Sequence, residues 1–198
     1  MHDRINPSRG PTSQKGFVLV ASLLLLTVVT LLALSLFRSI AVDQKIGGNV
    51  REKQRAFQAA QSALQYAEFW LASGTNATSF VKSCTALIAA SSTTGQVCTN
   101  ALSTALGSVP VTTVPWVVGG VPIGTTYLPP GMNITTTAAA GTYWSTPTFY
   151  ISLLGASADG LGQVYRIDAV GYGGSPDAIA VVESTYEIGS STKNLALQ

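Results

Sequence analysis

The sequence has 198 residues, a length that suits one globular domain with an additional segment rather than two full domains. Only 10% of the residues are charged, where soluble proteins average about 25%, and the formal net charge is +2. With no stripe of basic residues, this balance argues against a dedicated nucleic-acid-binding protein. The single histidine, His2, and the two cysteines leave little scope for histidine-based catalysis or for metal sites with nitrogen and sulfur ligands.

The hydrophobic residues are concentrated in residues 17–37, a segment without any charged side chain. As a helix, this segment would span about 30 Å, the hydrocarbon thickness of a bilayer, so it is predicted to cross a membrane. A cleaved secretory signal is the weaker interpretation. Such a signal has a shorter apolar core of about 7–15 residues, followed by a small-residue cleavage site.

Beyond the apolar segment, a second pattern predicts that the helix continues to about residue 72. Apolar residues recur at spacings of three and four, which places them on one helix face expected to pack against the following domain. The residues of this face are Phe57, Ala60, Leu64, Ala67 and Leu71. Gly47 and Gly48 interrupt the pattern and predict a kink or local melting, because each glycine costs about 1 kcal/mol relative to alanine. Gly74 is predicted to end the helix.

The rest of the chain predicts an exported, β-rich head. Residues 83–158 contain no Asp, Glu, Lys or Arg, and the two cysteines, Cys84 and Cys98, lie in this serine- and threonine-rich region. These features are typical of an oxidising compartment. A Cys84–Cys98 disulfide is preferred over a zinc site, since the exported part offers no further His or Cys to complete the ligand set.

Four stretches of the head have strand-like patterns. Residues 109–118 contain two prolines, which restricts them to an edge strand or an extended arm. Residues 149–154, 164–170 and 178–188 are predicted strands, and the last alternates between apolar and polar residues, as a half-buried strand does. The glycines between residues 171 and 174 are assigned to the connection between the last two strands.

The carboxylates of the chain do not form a recognisable catalytic or metal-binding motif. Asp168 alternates with Arg166 on a predicted strand, and Asp159 and Asp177 fall in loops without the spacing of an EF-hand. We therefore favour structural ion pairing over catalysis or Ca²⁺ binding, and expect no catalytic residue, no metal and no cofactor.

The junction Lys15-Gly16-Phe17, at the start of the apolar segment, resembles the class III signal of type IV pilins and pseudopilins. In that family, prepilin peptidase cuts after the glycine and the new terminal residue is N-methylated. The resemblance implies a leader peptide over residues 1–16, cleavage between Gly16 and Phe17, and methylation of Phe17. Major pilins carry a glutamate at the fifth mature position, whereas this sequence has Ala21.

The stretch GNVREKQRAFQAAQSALQYAE is similar to the N-terminal signature of PilX-type minor pilins. The residues that carry the match are Gly48, Asn49, Arg51, Ala56, Phe57, Ala59, Ala60, Ala63, Leu64, Ala67 and Glu68. The last two predicted strands are similar to the terminal strands of PilX-like heads. The resemblance implies an α+β, type IV pilin-like fold, in which a long N-terminal helix (17–72) packs on an antiparallel β-sheet head (73–198).

The resemblance also implies a function, that of a structural minor pilin that helps to initiate type IV pilus assembly at the pilus tip, in motility and surface attachment. Its implied partners are other minor pilins, the major pilin, a tip-associated adhesin and prepilin peptidase. It implies a single pass through the inner membrane with a cytoplasmic N-terminus before assembly, and a place in the periplasm and surface pilus afterwards. Two alternatives remain: a tip pseudopilin of a type II secretion system, and a membrane-anchored periplasmic enzyme or binding protein.

Overall fold

The computed structural model of the protein describes residues 15–79, 81–137 and 141–189. Most of the predicted leader lies outside these residues, as does the end of the predicted head, residues 190–198. The chain divides between Gly47 and Gly48 into two compact units.

Helix α1 comprises Lys15–Ala72, and its first part makes up the described portion of the first unit. Its apolar side chains are exposed, as Phe17 at 72% and Phe37 at 70% illustrate. The hydroxyls of Ser22, Thr27 and Thr30 donate to carbonyls of the preceding turn, for example Thr27 Oγ1 to the Leu24 carbonyl at 2.8 Å. The helix is long and apolar enough to cross a membrane.

The glycine pair lies within helix α1 and does not end it. Residues 47 and 48 remain helical, so the predicted local melting is wrong, whereas the alternative, a kink, stays a prediction. Because helix propagation is cooperative, the unfavourable propensity of two glycines is small against the hydrogen bonds of a 58-residue helix.

The second unit consists of the end of helix α1, two short helices and, among the described residues, nine strands. The short helices are α2 (Asn76–Ser79) and α3 (Leu102–Ala105). The strands are β1 (Val81–Lys82), β2 (Leu87–Ala89), β3 (Val97–Cys98), β4 (Val117–Val118), β5 (Val121–Pro122), β6 (Gly124–Thr126), β7 (Thr148–Ala156), β8 (Gly162–Tyr172) and β9 (Ile179–Gly189). Strands β4 and β5 form a separate hairpin, and the other seven form one sheet.

The predicted α+β arrangement of a long helix packed on a sheet is confirmed, and the main sheet is mixed rather than wholly antiparallel. Strands β7, β8 and β9 are antiparallel neighbours, and β6 is antiparallel to β7. The short strands differ, since β1 pairs with β3, β3 with β7 and β2 with β6 in parallel. Parallel neighbours need a crossover connection. The loops of the charge-free region, residues 83–158, supply these connections. Their turns show no alternation of apolar and polar residues from which the short strands could be predicted.

The three long strands agree with the sequence, whereas the proline-rich stretch does not. Strands β7, β8 and β9 contain or nearly coincide with the predicted strands. In residues 109–118, only the last two residues are in a strand, and turns and bends occupy residues 111–115. Trp116 anchors this stretch, because its side chain is 3% exposed and its Nε1 donates to the Val111 carbonyl at 2.8 Å.

The main sheet has two covered faces. On one face, Tyr165, Ile167 and Ala169 of β8 pack with the end of helix α1. On the other face, Tyr150 and Val170 pack with a group of loop and α3 residues, which we call the outer layer. The outer layer consists of the disulfide residues Cys84 and Cys98 together with Leu102, Trp116 and Ile123.

Candidate functional site

The face of helix α1 that packs on the head is a stripe of small residues. Its buried members, each at most 1% exposed, are Ala56, Ala59, Ala60, Ala63, Ala67, Trp70 and Leu71. We call this set the alanine face. Its spacings of three and four keep it on one side of the helix, turned toward strands β7, β8 and β9.

The five residues expected on this face have three different environments. Ala60, Ala67 and Leu71 are buried, and Leu64 is half-buried against the same core. Phe57 is 46% exposed, so its assignment to the packing face is wrong. It directly follows the buried Ala56, and one residue turns the helix by about 100°, which carries its side chain away from the sheet.

The small residues allow helix and sheet to approach closely. A Cβ atom placed on Gly171 of β8 would lie 2.3 Å from the Ala60 nitrogen and 2.4 Å from the Ala56 carbonyl oxygen. Farther along the helix, a Cβ on Gly95 would lie 2.4 Å from the ring of Trp70. From the sequence, Gly171 is expected in a connection, whereas it lies within strand β8. The sequence alone indicates no role for Gly95. A glycine inside a strand pattern is the signal that marks such an approach.

A polar cluster holds helix α1 to the β8–β9 connection. Glu52 accepts a hydrogen bond from the Gly174 backbone N–H and pairs with Arg55 at 2.8 Å. Arg55 also donates to the Thr142 carbonyl and stacks over the Tyr143 ring, 4.5 Å from its centroid. The Gly174 hydrogen bond, followed by the Arg55 guanidinium, holds the pKa of Glu52 below its usual value despite some desolvation.

Two further contacts fix the helix beside the sheet. The rings of Tyr66 and Tyr127 stack with centroids 4.1 Å apart. Glu68, one of the residues in the PilX-like stretch, accepts a hydrogen bond from the Ser184 hydroxyl of β9 at 2.9 Å. Both contacts come from helix positions next to the alanine face.

The outer layer contains the predicted disulfide. Cys84 and Cys98 are bonded, with Cα atoms 5.4 Å apart, and both side chains are buried. The bond ties the loop after β1 to strand β3, which lies against β7. The disulfide therefore closes the loop that contains β2 within the head.

Asp168 forms the ion pair with Arg166 that the sequence predicted, and it is buried. It is 0% exposed, and its Oδ1 lies 3.5 Å from Arg166 Nε. Burial raises the pKa of Asp168 to about 6, although the Arg166 charge opposes the shift. Tyr150 lies opposite Asp168 on strand β7. Burial, together with the charge of Asp168, raises the pKa of Tyr150 to about 12. The alternation with Arg166 indicated an ion pair but not this degree of burial.

The loop carboxylate Asp159 stabilises its own turn. Asp159 accepts hydrogen bonds from the Ser157 hydroxyl and from the Leu161 backbone N–H, which lowers its pKa. Within residues 15–79, 81–137 and 141–189, no three His, Cys, Asp or Glu side chains are grouped as a metal site requires.

Two protein-family models match the chain. The PilX N-terminal model matches residues 15–65, which include the apolar part of helix α1 and most of the alanine face. The model of the type IV pilus assembly protein PilX C-terminal region matches residues 88–188, which extend from β2 to β9. The chain belongs to the PilX family. No curated protein and no solved structure matches it significantly.

Membership of the PilX family makes the protein a minor pilin component of a type IV pilus. PilX proteins are structural pilins rather than enzymes, and they work with other pilus components. The exposed apolar part of helix α1 is a candidate membrane anchor, consistent with pilins that are held in the membrane before they enter the pilus. In this chain the alanine face packs the helix against the head, and the disulfide lies in the outer layer of the head.

Proposed function

We propose that this PilX-family protein initiates assembly of the type IV pilus and occupies the pilus tip, where it supports motility and surface attachment. The observation that carries the proposal is Ala21, which stands where major pilins have a glutamate. The apolar segment, residues 17–37, contains no carboxylate, and Asp43 is the first acidic residue after it.

In related pilins, the glutamate of an incoming subunit pairs with the terminal amine of the subunit above it. An ammonium group in an apolar core costs several kcal/mol unless it is paired. A subunit with Ala21 is therefore poorly suited to join below another subunit. It loses nothing at the top of the filament, where no terminal amine lies above it.

The same proposal includes processing and topology. Prepilin peptidase removes residues 1–16 on the cytoplasmic side of the inner membrane, and Phe17 becomes the methylated terminus. The head folds in the periplasm with its disulfide and joins other minor pilins, the major pilin and a tip-associated adhesin. The mass of the purified protein tests the processing step. Gly16→Val is expected to retain the leader, and an unchanged mature mass in this variant would contradict the cleavage site.

Immunogold labelling tests the tip location. An epitope inserted between Gly119 and Gly120, both exposed in the β4–β5 turn, leaves the core and the alanine face intact. The tagged protein must first restore piliation in a strain that lacks the gene. Gold particles are then expected at one end of sheared pili. The control is the same epitope on the major pilin, which should label the shaft. Label from this protein spread along the shaft would overturn the proposal.

A further inference from the structure

Three ionisable side chains of β8 and β9 form a cluster with unequal charge. Arg166 donates to Glu183 through Nη2, while its Nε lies 3.5 Å from Asp168 Oδ1. Within the part of the chain that the structure describes, Arg166 Nε and both carboxylate oxygens of Asp168 make no hydrogen bond. One guanidinium therefore faces two carboxylates, and the buried carboxylate has the poorer geometry. When all three groups are ionised, the cluster has a net charge of −1.

The carboxyl group of Asp168 is fully buried, and among the described residues no second cation lies beside it. Side chains alternate along a strand, so Asp168 lies on the same sheet face as Val170, which is the face covered by the outer layer. Its partner on the neighbouring strand β7 is Tyr150, whose hydroxyl donates to the Asn100 carbonyl at 3.2 Å. Since residues 83–158 contain no charged side chain, the outer layer offers no cation. A buried charge without a full partner is strongly unfavourable.

We propose that Asp168 is a proton-operated latch: the neutral acid lets the outer layer stay closed on the sheet in mildly acidic medium, and ionisation of the buried carboxyl favours opening of that layer. The ionisable groups that neighbour this carboxyl are Arg166 on its own strand, Glu183 opposite it on β9 and Tyr150 opposite it on β7. The protonated acid leaves Arg166 and Glu183 as a balanced pair. The ionised form places a second anion under an uncharged layer.

The direction of the pH dependence follows from the difference between the folded and unfolded pKa values of Asp168. In the folded head, burial raises the pKa of Asp168 to about 6, above the value of about 3.9 for an unperturbed aspartate. Its contribution to the closed state is therefore complete below the unperturbed value and is lost as the pH rises through about 6. If opening returns the carboxyl to water, the opening equilibrium should increase about tenfold between pH 5 and pH 7.5.

Hydrogen exchange on the full chain in detergent micelles tests the latch. The reporting amides are Leu106 and Ile123, whose N–H groups donate within the outer layer to Leu102 and Trp116. After correction for the intrinsic pH dependence of exchange, their protection is expected to fall about tenfold from pH 5 to pH 7.5. Amides of helix α1 between Ala60 and Leu71 serve as the internal reference and should change less.

Variants and a second measurement complete the test. Asp168→Asn should abolish the fall in protection, whereas the control Asp159→Asn, at a loop carboxylate, should retain it. In case Asp168→Asn does not fold, infrared spectroscopy of the wild-type protein detects the carbonyl band of a buried protonated acid. This band is expected at pH 5 and should disappear by pH 7.5. Protection that does not depend on pH, a fall that survives in Asp168→Asn, or no acid band at pH 5 would each overturn the latch.

Discussion

Gly171 in strand β8 lies directly against Ala60 in helix α1, so close that a Cβ atom on the glycine would be 2.3 Å from the alanine nitrogen. The atoms nearest this position belong to the helix backbone and not to a flexible side chain. Neither partner therefore has room to move without shifting a whole element. This contact sets the distance between the helix and the sheet of the head.

Gly171→Ala should accordingly destabilise the head. Overpacking of a well-packed interior costs about 1–3 kcal/mol, and a backbone obstacle favours the upper end. The measurement is the thermal midpoint of the full chain in detergent micelles. Gly48→Ala is the matched control, because a Cβ at that helical position meets nothing within 4 Å and alanine favours the helix. A Gly171→Ala midpoint equal to that of Gly48→Ala would contradict the close contact.

Truncation of the alanine face should distinguish Leu71 from Phe57. Leu71 is 1% exposed, and Leu71→Ala should reduce the free energy of unfolding by about 2–5 kcal/mol. Phe57→Ala removes a larger side chain that is 46% exposed, yet it should cost less. Chemical denaturation of both variants in one detergent decides the ranking. Equal losses, or a larger loss for Phe57→Ala, would mean that the helix presents a different face to the head.

Removal of the disulfide should weaken the head without abolishing the helix. Cys84 and Cys98 are 14 positions apart, and closing a loop of this size contributes about 3 kcal/mol in the chain-entropy model. The double variant Cys84→Ser/Cys98→Ser should therefore unfold at lower denaturant concentration. Free-thiol labelling of the unreduced wild-type protein is the direct control. Two reactive thiols in that sample would show that the bond is not formed.

Glu52 should contribute to stability with the opposite pH dependence to Asp168. Its pKa is lowered by the Gly174 hydrogen bond and by Arg55, so its contribution is present above the unfolded pKa and is lost as the pH falls through the folded value. The side chain is 33% exposed, and screening limits the effect to about 1 kcal/mol or less. Glu52→Gln should lower the unfolding midpoint at pH 7 but not below pH 3. A similar loss from Glu187→Gln, at an exposed carboxylate, would point to general charge effects.

The sequence was sufficient to predict the elements in which side-chain periodicity reflects burial. The long helix, strands β7 to β9 and the disulfide partners follow from spacing, alternation and the scarcity of cysteine. Phe57 was misassigned because a stripe of alanines carries little hydrophobic signal beside one large aromatic residue. Gly171 was taken for a connecting residue because glycine is common in turns and rare within strands. The parallel pairing of the short strands depends on contacts between residues far apart in sequence.

The burial of Asp168 was beyond sequence reasoning for a related reason. The alternation of Asp168 with Arg166 predicts an ion pair but does not indicate whether the pair is buried. The outer layer that covers Asp168 comes from a region without charge, and nothing in that region indicates which strand it lies on. The same holds for Glu52, whose partner Gly174 is 122 positions away.

The most direct test of the account is to count and measure pili in a strain that lacks this gene and in the same strain carrying the wild-type gene. A subunit that initiates assembly from the tip affects how many pili begin and not how far each one grows. We predict that the deletion strain has far fewer pili per cell, that these pili have normal length, and that the wild-type gene restores their number. Pili of normal number but reduced length would contradict the proposed role in initiation.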